Sequence, residues 1–387
     1  MLHKLFKIKI TATLAIIVLA LIIVISGCGS KKSEDVFNQA EDVQTHSAAI
    51  NDETVAPSKT VLPTETPEAE TPSPSTPEPT PAPIDYSVVK PYEVGQIMII
   101  MYHSVVDDPD PTDPYQRSTA DFKNDLQTLY DMGFRLIPLK NVIANNITTA
   151  ASYTPVAITF DDGNKTAFSL VEQDGKLVPT PGCALDIMQK FAEVHPDFGC
   201  YATFYINTYI EQFAGSGTLA ERLNYLVNNG CDIGNHTVDH KDMADMTADE
   251  IQWELAGVDS VIRELVPGYT PVGVCYPNGS RPDASLYKYI LDGESDGHTY
   301  HYDFALREGD SGAPAAVNRV NYDPLNIPRV RGSNDEITDL GWKLDFYKEN
   351  PEYRYVSDGD PQTIVIPQIY AQNVDESSLD GKTLIYY

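Results

Sequence analysis

The chain has 387 residues, 27 Lys and Arg against 56 Asp and Glu, and a formal net charge of −29 at pH 7. Nucleic-acid binding needs a basic footprint, so this balance excludes it, and it equally excludes attachment to anionic lipid by charge. The length fits one large domain behind a non-globular leader rather than several domains.

In chain order, the first segment reads as a targeting signal. Lys4, Lys7 and Lys9 precede an apolar run from Ile10 to Ile25 that is too short and wrongly flanked for a permanent span. The run ends in Ile25-Ser26-Gly27-Cys28, which resembles a bacterial lipoprotein processing site, with Ile25 where Leu is usual. The resemblance implies removal of residues 1–27, acylation of Cys28, and an extracytoplasmic protein lipid-anchored to the bacterial cell membrane, because several acyl chains hold where one does not. Residues 28–93 then form a linker. Nine prolines lie between Ala56 and Pro83 among Thr, Ser and Glu, a disordered stalk that cannot bury apolar area and extends as a semi-rigid spacer.

From Val94 the pattern changes to alternating strands and helices. A strand is expected at Ile97–Tyr102. A helix follows, capped by Ser118 or Thr119, with Phe122, Leu126, Leu129 and Tyr130 on one face and Gly133 past its end. Strands at Phe134–Pro138 and Val156–Phe160 come next, then a helix around Ala184–Glu193 and a strand at Tyr201–Ile206. Leu219–Asn229 reads as a helix and Cys231–Gly234 as a strand. Thr247 and Glu250 form a capping box ahead of Ile251, Leu255, Val258 and Ile262. Gly273–Tyr276 reads as a strand, with shorter ones at Phe304–Leu306 and Ile327–Val330. Such alternation predicts a parallel sheet, and seven or eight units predict an α/β fold closed into a distorted (β/α) barrel. Chemistry then belongs on the loops after the strand C-termini. The tail from Asn334 to Tyr387 is unassigned, with strands expected at Thr363–Tyr370 and Thr383–Tyr387. Cys183, Cys200, Cys231 and Cys275 permit three disulfide pairings, left open, and their spacings match no zinc cluster.

Two segments carry the chemistry. Val156-Ala157-Ile158-Thr159-Phe160-Asp161-Asp162-Gly163 runs an apolar strand into adjacent carboxylates. Neighbouring side chains on a strand face opposite sides, so Asp161 and Asp162 can serve different roles. Gly234-Asn235-His236-Thr237-Val238-Asp239-His240 ends another strand with histidines four apart. His, His and Asp with one open position is the ligand count of a catalytic metal site rather than a structural one.

These residues resemble the polysaccharide deacetylases, carbohydrate esterase family four. Thr159–Gly163 resembles the family's first motif and His236–His240 its second; Ala202-Thr203-Phe204-Tyr205 resembles the strand between them. Ile99-Ile100-Met101-Tyr102-His103-Ser104-Val105 is similar to one branch's opening strand, and Val274-Cys275-Tyr276-Pro277-Asn278-Gly279 to its third motif, usually Phe-Ala-Tyr-Pro-x-Gly. The resemblance implies a catalytic domain at 94–333 with a C-terminal extension at 334–387. It implies Asp162, His236 and His240 as ligands of one divalent metal, zinc first, with cobalt, nickel or manganese as alternatives. It makes Asp161 the general base, the Tyr276 backbone N–H an oxyanion donor, and Arg329 the arginine that steadies Asp161. His103, at the end of the first expected strand, reads as a hydrogen-bonded structural histidine or as a substrate contact at the site mouth, and Asn278 as a substrate contact. The implied reaction hydrolyses N-acetyl groups of an N-acetylglucosamine-containing polysaccharide of the cell wall or an exopolysaccharide, by a monomer.

Three departures from the family pattern stand out. The late histidine that protonates the leaving amine is missing; after Tyr276 only His298 and His301 occur, in a polar, loop-like stretch. The arginine ahead of the third motif is absent, with Ile327-Pro328-Arg329-Val330-Arg331 as its replacement. Residues 164–200 are longer than usual and include the turn-rich Glu172-Gln173-Asp174-Gly175-Lys176, a rim to the groove or a tolerated loop. A carbohydrate-binding surface lipoprotein with a decayed site, and a transporter's solute-binding lipoprotein, are the competing readings.

Overall fold

The computed structural model describes residues 84–308 and 313–387; the signal segment, Cys28 and the stalk lie outside the described residues. The strands that build the site are β1 (Met98–Tyr102), β2 (Phe134–Leu136), β3 (Thr154–Phe160), β4 (Thr203–Ile206), β5 (Asp232–Asn235), β6 (Val274–Cys275), β7 (Ala305–Arg307), β8 (Ile327–Pro328) and β9 (Val330–Arg331). The principal helices are α1 (Thr119–Asp131), α2 (Ala184–Val194), α3 (Leu219–Asn228), α4 (Ala248–Leu265) and α5 (Leu340–Glu349). All pairings in the main sheet are parallel, in the order β8-β7-β6-β5-β4-β3-β1-β9, with β2 added beside β3.

The two ends of that order are consecutive in sequence. β8 pairs with β7 and β9 with β1, so residues 327–331 are one strand broken at Arg329 that brings the barrel nearly to closure. Side-chain parity then sorts the core. Met98, Ile100, Val156, Ile158, Phe160 and Phe204 pack outward with the helices. Ile99, Ala157, Tyr205, Cys275, Leu306 and Ile327 pack together on the opposite, interior side. Continuing the β3 count from Ala157 through Thr159 puts Asp161 on the interior side, and the β8 count from Ile327 does the same for Arg329. Gly234 has no side chain because a Cβ there would meet the Tyr205 ring at 2.3 Å.

Helix ends follow their caps. Ser118 caps α1, and Thr218/Glu221 and Thr247/Glu250 form complete capping boxes on α3 and α4. The expected strands are present, most shifted by a residue or two. The tail differs more. Its first strand stops at Ile366, where Pro367 starts a 3-10 turn, and it pairs in parallel with Thr383–Tyr386. These strands bury Ile364 and Ile366 against Tyr92 and Val94, while α5 places Leu340, Leu344 and Tyr347 in the outer barrel core. His298 and His301 also depart from expectation. They lie on a β-hairpin, Asp292–Ser295 with His298–His301, turned by Asp296 and Gly297, both at positive φ.

Glu93 is buried at the join with the tail. It accepts from the Val365 N–H at 2.7 Å, the Asp358 N–H at 3.1 Å and the Tyr355 hydroxyl at 3.2 Å. Burial, then the charge of Asp358, pushes its pKa up to about 8 against the opposing N–H bonds. A carboxyl whose folded pKa is raised favours folding fully below its unfolded pKa of about 4.3, and that contribution is lost as the pH climbs toward 8. The melting temperature should therefore fall between pH 5 and pH 8, with a shallower slope in Glu93→Gln; equal slopes would reject the assignment.

Candidate active site

The barrel's strand C-termini converge on one cavity of about 460 Å³. His103 follows β1, Asp161 and Asp162 follow β3, His236 follows β5, Tyr276 follows β6 and Glu308 follows β7; all line it, together with His240, Asn278 and Arg329. The pocket thus gathers every sequence-derived site residue except Cys28.

Asp162, His236 and His240 form a compact triangle. His236 Nε2 lies 3.5 Å and His240 Nε2 3.4 Å from Asp162 Oδ1. A tetrahedral ion with ligands about 2.0–2.1 Å away separates them by about 3.3 Å, so the three atoms fit a four-coordinate divalent metal with one position open. His236 Nδ1 sits 2.8 Å from the Cys275 carbonyl, which fixes the N–H there and leaves Nε2 free to accept a metal ion. Burial, then the charge of Asp161, raises the Asp162 pKa against His236 and His240. A cation at the triangle would supply positive charge to this carboxylate.

The backbone is bent to make the triangle. Asp162, Thr237 and His240 have φ of 68°, 65° and 53°. A β-branched residue there is an outlier, and each such residue costs roughly 1–3 kcal/mol. Thr237 is held by a chain of hydrogen bonds. Its N–H donates to Asn235 Oδ1 (2.8 Å); Asn235 Nδ2 donates to the Leu255 carbonyl and the Tyr302 hydroxyl (both 2.8 Å); Tyr302 donates to Asp259 Oδ2 (2.8 Å). Asp259 is fully buried and meets His298 Nε2 at 2.8 Å and Arg263. His298 therefore stands behind the metal-ligand loop, and His301 faces solvent between Asp292 and Asp303; neither lines the cavity.

Asp161 is gripped from the opposite side. Arg329 Nη1 donates to its Oδ1 at 2.8 Å and Nη2 to its Oδ2 at 2.6 Å, with Thr159 Oγ1 3.0 Å from Nη1. Both residues are 2 % exposed, so the pair is desolvated. Burial alone would raise the Asp161 pKa; the Arg329 guanidinium, with His236 and His103, outweighs it and holds the carboxyl well below the usual carboxylate range. Cys275 Sγ packs 2.9 Å from Arg329 Nη2 and 3.5 Å from Asp161 Oδ2. Asp161, His236 and Cys275 also lie close enough to hold an ion, but the guanidinium already occupies both Asp161 oxygens and the sulfur. All four described cysteines are free thiols.

His103 Nε2 lies 3.9 Å from Asp161 Oδ2 and 4.0 Å from Asp162 Oδ2, and its ring leans on Tyr115 at 4.6 Å. Burial lowers its pKa, with Asp161 opposing. Asn278 Nδ2 donates to Asp242 at 2.8 Å, which turns its side chain along the rim. The Tyr276 assignment needs correcting. Its N–H donates to the Leu306 carbonyl at 2.9 Å as part of the β6–β7 ladder, so it is already spent and is not free for an oxyanion; Tyr276 serves as wall.

Sequence reasoning missed Glu308, Tyr115 and Asn207. Glu308 and Asn207 each follow a barrel strand directly, the same signal that located Asp161. Tyr115, whose hydroxyl donates to Glu308 at 2.9 Å, lies in an irregular loop with no such signal. Asn207 Nδ2 stands 3.5 Å from Asp162 Oδ1 and is held by Gln212 at 2.7 Å.

Residues 150–292 match the family model for polysaccharide deacetylases; the match spans both motif segments, while His103 and Arg329 fall outside it. Similar solved structures include a Streptococcus pyogenes deacetylase, PplD, in complex with acetate (18% identity, 65% of this chain and 97% of that one, TM-score 0.47). A polysaccharide deacetylase from Bacillus cereus has 20% identity over 64% of this chain and 68% of that one, with TM-score 0.47. IcaB from Ammonifex degensii has 17% identity over 66% and 97%, with TM-score 0.45. No curated protein matches.

Proposed function

We propose that this chain is a metal-dependent hydrolase that removes N-acetyl groups from an N-acetylglucosamine-containing polysaccharide outside the cytoplasmic membrane. The observation that carries this reading is the Asp162–His236–His240 triangle with the arginine-clamped Asp161 beside it. The processing-site resemblance around Cys28 supports lipid anchorage, and zinc suits two imidazoles and a carboxylate.

Asp162, His236 and His240 would hold a divalent ion, which would supply a more acidic water and Lewis-acid polarisation of the acetamide carbonyl. The protein's own groups move the protons. Asp161 is kept ionised by Arg329, and its Oδ1 retains a lone pair beyond the one the guanidinium uses. It takes the proton of the attacking water as general base. His103 stands next to it and takes the part of the missing late histidine. Burial lowers its pKa, with Asp161 opposing, which favours handing a proton on. The proton taken from water thereby ends on the leaving amine, and acetate departs. An imidazole at the cavity supports the catalytic reading over a decayed, purely carbohydrate-binding site.

Acetate release from N-acetylglucosamine oligomers tests this. Release should stop on chelation and return with zinc or cobalt. No release from oligomers, peptidoglycan or acetylated xylan, with metal bound, would move the protein to the binding class.

A further inference from the structure

The segment that follows β4 carries none of the three triangle residues, yet it is moored to both loops that do. On one side the His236 N–H donates to the Ile206 carbonyl at 2.8 Å, and the Thr208 N–H to the Val238 carbonyl at 3.2 Å. On the other the Phe213 N–H donates to the Gly163 carbonyl at 2.6 Å, with Phe213 at a φ of 55°. Residues 206–213 therefore bridge the turn that carries Asp162 and the loop that carries His236 and His240. The bridge lies directly on the Asp-Asp-Gly turn. Gly163 has a φ of 61°, and a Cβ there would sit 1.8 Å from Gln212 Oε1, so glycine is what fits beneath it.

Two buried amides cross this bridge, and their sense is fixed. Asn207 is fully buried and Gln212 is 2 % exposed. An amide can be turned end for end without changing its shape, but a backbone carbonyl can only accept. Gln212 Nε2 lies 3.2 Å from the Ile210 carbonyl, so the nitrogen belongs there. The same nitrogen lies 2.7 Å from the Asn207 side chain, which must then present its oxygen. Asn207 Nδ2 is thereby left facing Asp162 Oδ1 at 3.5 Å, the long end of a hydrogen bond. That oxygen is the one set 3.5 Å and 3.4 Å from the His236 and His240 Nε2 atoms. A carboxylate oxygen has about two lone pairs. One directed at the Asn207 N–H leaves the other for the imidazole side, and the carboxylate cannot rotate without losing the amide.

We infer that Asn207, oriented by Gln212, is a positioning residue for the metal site: it holds Asp162 with Oδ1 turned toward the two imidazoles, and so sets how tightly a divalent ion is held. The inference rests on the metal-site reading. Asn207 does not line the cavity, so it acts through Asp162 and not by touching substrate.

The test titrates zinc into the metal-free full-length chain against a chromophoric chelator, for wild type, Asn207→Leu, Gln212→Leu and the double variant. Leu removes the hydrogen bonds of each amide and still fills most of its space. A group that orients a metal ligand is worth about 10–100-fold in affinity. The zinc Kd should rise by about that factor in Asn207→Leu and severalfold in Gln212→Leu. In the double variant it should match Asn207→Leu alone, because Gln212 acts only through Asn207; a packing role would give additive losses instead. Equal Kd in wild type and Asn207→Leu, or additive losses in the double variant, would overturn the positioning role. Urea unfolding of the metal-free proteins shows whether each variant folds, and if Asn207→Leu does not, Asn207→Ala takes its place with the same expected loss. A wild type that binds no zinc would defeat the metal-site reading itself, and this role with it.

Discussion

Asp161→Asn is expected to lower kcat at least a thousandfold while the protein keeps one equivalent of zinc. An amide of the same shape cannot take a proton from water, and a positioned general base is worth about 10²–10⁴ in rate. Zinc should stay because its ligand atoms come from Asp162, His236 and His240, whereas both Asp161 oxygens face Arg329. Metal content by atomic absorption and acetate release, measured on the same sample, check both halves. Loss of zinc would make Asp161 a ligand, and near-normal turnover would move the base elsewhere.

Arg329→Met should be the most destabilising single change at the site. It leaves Asp161 buried and ionised with no counter-charge, and removing one partner of a buried pair costs about 3–5 kcal/mol. The pH dependence has a definite sign. Asp161 has a depressed folded pKa, so its contribution is present above its unfolded pKa of about 3.9 and is lost as the pH falls below it. The gap between wild type and Arg329→Met in urea unfolding should therefore be wide at pH 7 and narrow toward pH 3. Adding Asp161→Asn to Arg329→Met should restore part of the loss at pH 7, because the uncompensated charge goes with it. A gap independent of pH, or a double variant as weak as the sum of the singles, would mean that Arg329 acts through packing alone.

Much of this was legible in the sequence, for identifiable reasons. Val156–Phe160 is apolar except for Thr159 because both faces of β3 are buried, and a strand buried on both faces reads as a nearly continuous run. Its end announces Asp161 and Asp162, and the four-residue spacing of His236 and His240 announces the other ligands. Arg329 could be named from its neighbours but not placed, since its position depends on residues 327–331 closing the barrel between β7 and β1, a contact that spans the whole domain. The Tyr276 N–H was misassigned for a related reason: the two-residue pairing of β6 with β7 that consumes it is too short to leave a pattern. His298 and His301 were hidden because their hairpin is polar, with only Tyr300 buried among its last four residues. His103 was found as a strand end, but its place beside Asp161 and Asp162 arises only where β1 and β3 lie side by side.

The hydrogen-bond chain from Thr237 through Asn235 and Tyr302 to Asp259 has a consequence for how an ion is captured. The unfavourable turn that aims His236 and His240 is maintained by the polypeptide's own bonds, and its entropic cost falls due when the chain folds, not when the ion arrives. Capture of an ion at the triangle would then be the docking of a sphere into a finished socket. Ions of similar radius should trade places there without remodelling the loop, and selection among them falls to ligand chemistry and supply rather than to the shape of the protein.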